Sequence, residues 1–412
     1  MPSTIHRDKL FLASRVALIF TAMTFAFRAS LEGVWGPTFN LDKEQLGWIF
    51  GPAFWGFTLA MIVGGPLCDV LGMKRLLVFA FIGHIAGVII YLVAKDATML
   101  FIGTVCIGIG NGMVEAACNP LTVSLYPDNK TTMLNRFHVW FPGGIVIGGL
   151  ISYLLLDILK LDWHIMIATL FIPAIIYGYL FFSLSFPQTE RVTKGISTGK
   201  MFASCLNPLF LVMLACMFLT AATELGTGQW LPGFLENAGV SGILVLVLIN
   251  GVMALGRAFA GPVVHKFNPN GMLIFSALFA GIGLILLSKA SGNAAFGAAF
   301  VFAVGICFFW PTMLGFVSEY LPNSGALGLS LMGGGGMLSV AFILPIMGRW
   351  FENFKQAAVN TGTAANEANN VASSNTFMKV AIMPAILVVV FVLIYISRRK
   401  FYAAHKAAAN PA

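Results

Sequence analysis

The sequence predicts an all-α membrane protein, about twelve transmembrane helices in two pseudo-symmetric six-helix bundles, and three observations carry that prediction. Hydrophobic residues make up 58% of the chain and charged residues only 10%, with a mean hydropathy of +0.88, whereas a soluble domain carries about 25% charge. A helical span takes about 20 apolar residues, so a chain of 412 residues holds about twelve spans with short connectors and leaves no stretch for a soluble catalytic domain. Finally, GPVVHKFNPNGMLIF from Gly261 to Phe275 repeats the spacing of GPLCDVLGMKRLLVF from Gly65 to Phe79 without a gap. Parallel repeats of this kind place a substrate near the membrane midplane, between the halves. The expected division is an N-terminal bundle over 1–187, a linker over 188–204, a C-terminal bundle over 205–400 and a tail over 401–412.

Orientation follows from the basic residues. Lys74, Arg75, Lys130, Arg136, Arg191, Lys194, Lys200, Arg398, Arg399 and Lys400 fall on one side, which puts both termini in the cytoplasm; the membrane expected is a bacterial inner membrane. The net charge of +8 therefore reports topology, with no nucleic acid among the partners. MPSTIHRDK at the start lacks a small-residue cleavage site and is not a signal peptide. The opposite loops are balanced or acidic (Asp42, Lys43, Glu44; Glu236), and Glu352 to Asn375, rich in alanine and asparagine, reads as a flexible outer loop. The sequon at Asn129 faces the cytoplasm on this topology and is a chance match. Cys68, Cys106, Cys118, Cys205, Cys216 and Cys307 lie in or beside apolar spans without metal-like pairing, so neither metal nor cofactor is expected.

Within the spans polar residues are few, and a charge at the centre of a membrane helix costs about 2.5 to 3.5 kcal/mol even on lenient scales. Glu115 therefore belongs in a bundle interior or a wet cavity. Asn111 and Asn119 stand four residues either side of it on one helical face, while Gly108 and Gly112 allow close helix approach. In the first span Arg28 and Glu32 share a stripe with Thr21, Thr24 and Trp35. Their spacing allows an ion pair, either self-satisfied or serving as gate or substrate clamp. Asn135 and His138 share a face of the fifth span, ahead of Trp140 and Pro142; the seventh presents Thr220, Glu224 and Thr227, with Gln229 and Trp230 beyond. Asn250 and Trp310 add an amide and an indole. Amides with aromatic faces suit a polyol, which needs hydrogen bonds in both directions and apolar cover for its C–H surface. His138 is placed near the cytoplasmic end as a gate, Arg257 reads as structural, snorkelling or holding an interhelical carbonyl, and Gly333 to Gly336 would permit close approach or local unwinding.

Gly65, Leu67, Asp69, Gly72 and Lys74 resemble the signature between the second and third helices of the major facilitator superfamily, although Val70 and Met73 stand where that family carries arginine. EAACNPL, LNRFHVWFPGG, TELGTGQWL, FFWPT and GLSLMGGGGMLSVAFILPIMGRW are similar to the fucose and glucose/galactose proton symporters and to the sodium-dependent glucose transporters of animals. The resemblance implies that Glu115 is the coupling acid, with Glu32 and Glu224 as further candidates. It also implies that Asn119, Asn135, His138, Glu224, Gln229, Trp230 and Trp310 line or gate the sugar path; Arg28, which has no clear counterpart in that family, joins Asn111 and Asn250 as substrate-binding candidates on their own chemistry. The expected activity is symport of a hexose or related sugar with a proton by a monomer in the lipid bilayer. Sodium coupling, or an anionic sugar acid or organic acid held by Arg28, stays open. An intramembrane enzyme is not expected, since neither His-x-x-x-His nor paired acids on one helix occur. A channel would need a ring of like groups.

Overall fold

The computed structural model describes residues 5–41, 43–236 and 242–409. Among them, eleven helices are long and apolar enough to cross a membrane, from Arg7–Leu31 to Glu367–Ser397, and the shorter apolar helix Val245–Ala258 takes the eighth place in the series. Spans are numbered accordingly: the second is Gln45–Leu71, the fourth Ala97–Leu125, the fifth Lys130–Ile158, the seventh Pro208–Leu231, the tenth Ala294–Tyr320 and the eleventh Pro322–Asn360. Helices are the expected solution, because in hydrocarbon each backbone N–H and C=O must be satisfied within its own segment. Large apolar side chains such as Ile172, Tyr179, Val389 and Leu393 point outward, as a lipid-facing surface requires.

Two hydrophobic cores form, one largely in the N-terminal half and one largely in the C-terminal half, the latter reaching across to Phe57, Met61, Val123 and Leu134. The first gathers Phe20, Trp35, Tyr91, Trp163 and Tyr177; the second gathers Met213, Phe302, Phe309 and Phe377. The repeat seen in the sequence has a backbone counterpart. Gly72 has φ 85° and Asn268, at the matching register, has φ 54°, so each half breaks its helix at the same step with a residue suited to the left-handed region. Asn268 then accepts the Gly271 N–H through Oδ1 at 3.1 Å and restarts the helix.

Small residues set the close crossings. A Cβ on Gly108 or Gly112 would strike the backbone carbonyls of Pro52 and Phe57 in the second span, and one on Gly305 would strike Ala280. The four glycines from Gly333 to Gly336 lie in one continuous helix, Gly325–Asn360. Their faces meet Met61, Thr58 and Ile62, Leu214 and Phe218, and Trp310, so the run serves close packing on three sides and no unwinding occurs. The expected outer loop is corrected too. Glu352 to Asn375 continues that helix to Asn360 and resumes it over Ala365–Val380, interrupted only around Gly362 with φ 87°. Its alanines have high helix propensity, which outweighs the asparagines.

Candidate functional site

The fourth span brings Glu115 to a cavity between the halves, lined by Phe57, Glu115, His138, Phe141, Glu224, Leu225, Arg257, Trp310 and Met337. Glu115 is buried, and its Oε2 accepts the Asn119 amide N–H at 2.7 Å, one helical turn on. Asn119 Oδ1 lies 3.1 Å from His138 Nε2, which is itself 3.9 Å from Glu115 Oε2. Glu115, Asn119 and His138 thus form one cluster from two spans. His138 sits in the cavity wall, about two turns in from the start of the fifth span at Lys130 and at the end of that span's first helical segment.

Opposite this cluster, Arg257 of the eighth span is 1% exposed. It donates from Nη2 to Glu224 Oε1 at 2.8 Å, from Nε to the Cys307 carbonyl at 2.6 Å, and from Nη1 to the His138 carbonyl at 3.2 Å. The expected carbonyl contacts are present, but there is no snorkelling, and the ion pair with Glu224 was missed. Its signal was available: a lone cation and a lone acid in neighbouring apolar spans each need a partner. Glu224 lies in a π-helical turn, Ala222–Gly226, and its Oε2 is buried without a hydrogen-bond partner among the described residues. Such turns recur at functional sites.

Other candidates fall elsewhere. Asn111 donates to Thr24 Oγ1 at 3.0 Å, tying the fourth span to the first, and Asn135 donates to the Thr131 carbonyl at 2.9 Å and Thr312 Oγ1 at 3.4 Å. Asn250 donates to the Leu246 carbonyl of its own helix at 2.9 Å. Trp230 reaches the Leu344 carbonyl at 3.3 Å and packs on Gly348 and Phe234, while Gln229 is exposed outside the cavity lining. Trp310 does line the cavity, its ring seated on Gly336. Arg28 lies over the rings of Phe25 at 4.6 Å and Phe54 at 4.5 Å, and Phe25 in turn meets Phe141 of the cavity wall. The Glu32 side chain lies outside the described residues, and the expected Arg28–Glu32 pair lies there with it. Arg28 also borders a second cavity, with Thr24, Trp35, Tyr91 and Thr104. Trp35 is fully buried there against Phe50, Tyr91 and Trp163.

At the linker end the halves are clasped. Lys130 donates to both Glu190 oxygens, at 2.9 and 2.7 Å, and to the Ser318 carbonyl of the tenth span at 3.1 Å; Glu190 also holds Lys194 at 2.6 Å. Burial pushes the Glu190 carboxyl up, but hydrogen bonds from Lys130 and Lys194 outweigh it, and the group is held below its usual range. Thr131 binds Glu319 through both its N–H and its hydroxyl. Asp69 receives Arg191 Nε at 2.6 Å and the Thr189 hydroxyl. The cation absent at Val70 and Met73 is therefore supplied by the linker. Gly65 abuts Ser330 and the Ala326 carbonyl of the eleventh span, Gly72 supplies the turn, and Lys74 donates to the Phe182 and Leu184 carbonyls at 2.9 Å each.

Comparison with known proteins agrees with this architecture. The 3-(3-hydroxy-phenyl)propionate transporter of Escherichia coli is 25% identical over 284 residues, 65% of this chain and 68% of that protein. The 4-hydroxybenzoate transporter PcaK of Acinetobacter baylyi is 22% identical over 333 residues, 70% of this chain and 71% of that one. Among solved structures, the Escherichia coli fucose:proton symporter superposes over 92% of this chain and 99% of its own, with a TM-score of 0.69 at 16% identity. The family pattern of the Major Facilitator Superfamily matches residues 13–345. With that match spanning both halves and the cavity between them, the chain belongs to the Major Facilitator Superfamily, a transporter and not an enzyme.

Proposed function

We propose that this transporter moves a neutral hexose or related sugar inward with a proton, by alternating access, with both termini in the cytoplasm of a bacterial cell. One observation carries the reading: among the described residues, the charges lining the central cavity leave a proton site free and no cation free. Arg257 is committed to Glu224 and to two carbonyls, whereas the hydrogen bond that Glu115 accepts among those residues comes from an amide. An anion entering this cavity would meet a carboxylate without an unengaged positive charge. A polyol would meet the acceptor Glu224 Oε2, the His138 imidazole and the Trp310 face.

Glu115→Gln tests it in proteoliposomes. The variant keeps the shape of the protonated acid, so it should exchange sugar in counterflow yet fail to accumulate it under an inward proton gradient. Accumulation that persists removes Glu115 as the coupling acid and passes the role to Glu32 or Glu224. Wild-type uptake that follows sodium and ignores pH would establish sodium coupling.

A second reading has its own support. Arg28 lies between aromatic faces and borders the cavity of the N-terminal half, a setting suited to an aromatic carboxylate, and two relatives are named for such acids. Thermal-shift screening of purified protein decides between the readings: a ligand at 100 times its dissociation constant stabilises by about 2.7 kcal/mol. Shifts with hexoses favour the first reading, and shifts with hydroxybenzoates that vanish in Arg28→Gln favour the second.

A further inference from the structure

Arg257 binds two carbonyls that belong to helices in opposite halves, and the sequence explains why both are available. In an α-helix the carbonyl of residue i accepts from the N–H of residue i+4. Four residues after His138 stands Pro142, and four after Cys307 stands Pro311. Proline has no N–H, so each of these carbonyls loses its helical partner. The neighbouring bonds survive: Gly143 donates to the Val139 carbonyl at 3.1 Å and Thr312 to the Phe308 carbonyl at 3.2 Å. The fifth span is divided here into Lys130–His138 and Trp140–Ser152, and the tenth into Ala294–Ile306 and Phe309–Tyr320. A buried carbonyl without a partner is costly, and one guanidinium, held in place by Glu224, satisfies both.

We propose that Arg257 is a positioning residue that fastens the two halves together at the depth of the cavity, with the carbonyl freed by Pro142 as its detachable partner. The Nε bond to Cys307 and the ion pair with Glu224 both lie within the C-terminal half. The Nη1 bond to His138 crosses to the N-terminal half. When the halves part at the linker end, the guanidinium stays with Glu224 and Cys307, and His138 leaves it. The same residue that detaches carries the imidazole facing Asn119, so the fastening also sets where that ring stands relative to Glu115. This rests on the alternating-access reading above but not on the identity of the cargo.

Two proline variants separate this role from a merely structural one, because both restore a helical N–H and neither removes a charge. Pro142→Ala supplies a competing donor to the His138 carbonyl, the interdomain acceptor; Pro311→Ala does the same for Cys307, within one half. Spin labels on Asp128 and Lys266, exposed on opposite halves near the linker end, report separation by pulsed dipolar spectroscopy in detergent, without substrate or gradient. Pro142→Ala is expected to raise the ratio of separated to closed molecules about tenfold, as loss of one charged hydrogen bond would, and Pro311→Ala is expected to leave it within twofold. Melting temperature serves as the control for fold. Equal shifts in both variants, or none in Pro142→Ala, overturn the proposal while leaving the transport reading intact. Failure of sugar binding or counterflow would overturn the transport reading without touching the distances.

Discussion

Replacing Lys130 with methionine isolates the charge that closes the linker end. The ammonium has three acceptors, two Glu190 oxygens and the Ser318 carbonyl, and its side chain is 8% exposed against 18% for Glu190. Surface pairs contribute about 0 to 1 kcal/mol, and removing one member of a fully buried pair costs about 3 to 5 kcal/mol. This pair lies between those limits, and Glu190 retains Lys194 after the substitution. The bond that crosses to the other half is the one to the Ser318 carbonyl, a hydrogen bond from a charged group worth about 1.5 to 3 kcal/mol; a loss of about 2 kcal/mol is therefore expected on the closed arrangement, a shift of about 30-fold in the ratio of separated to closed molecules. Dipolar distances between labels at Asp128 and Lys266 read this ratio directly. Methionine keeps the apolar stem, so a change in melting temperature without a change in distance would mean lost packing. An unaltered distance distribution, or full additivity of Lys130→Met with Glu190→Gln, would refute the reasoning.

Three further outcomes are expected. Glu190 is held below its usual 4.5, so its contribution to the closed state is fully present above 4.5 and lost as pH falls through the lower folded value; label distances should be flat from about pH 8 to 5 and lengthen below about pH 4, and lengthening on the alkaline side would contradict this. Trp310→Ala removes an indole that lines the cavity and should weaken sugar binding in titration calorimetry at least tenfold, whereas Trp230→Ala, whose ring is committed to Leu344, Gly348 and Phe234, should lower the melting temperature and leave affinity within twofold. Gly112→Ala drives a methyl group into the Phe57 carbonyl; folded yield on size-exclusion chromatography should collapse, and normal yield would show that the second and fourth spans can move apart at little cost.

The sequence carried the fold well because each part of it rested on local chemistry. Apolar length marks a span, the Gly65 and Gly261 segments mark the repeat, and the four-residue spacing of Glu115 and Asn119 is itself the hydrogen bond seen between them. What was hidden depended on partners distant in the chain. The Arg257–Glu224 pair joins residues 33 apart, and the Arg191–Asp69 pair residues 122 apart; no periodicity within one helix reports either. Gln229, Trp230 and Asn250 have the chemistry of a polyol site, but the rotation of each helix turns them away from the cavity. The segment beyond Glu352 has the polar, small-residue composition of a loop, yet its alanines favour continuing the helix.

The clasp at Asp69 and Lys130 is built partly from Thr189, Glu190 and Arg191, residues of the connector between the halves. A connector that only joined domains could be lengthened freely, since each doubling of a flexible loop costs about 0.6 kcal/mol. Here its reach also fixes the local concentration of its own side chains at their docking points. Flexible residues inserted near Gln188, between the sixth span, Trp163–Ser183, and Thr189, should dilute Glu190 and Arg191 around Lys130 and Asp69, making linker length a graded control over how often the protein opens on that side. The same insertion placed after the cluster, beyond the Ile196 carbonyl that Arg191 also holds at 2.6 Å, would leave that concentration unchanged.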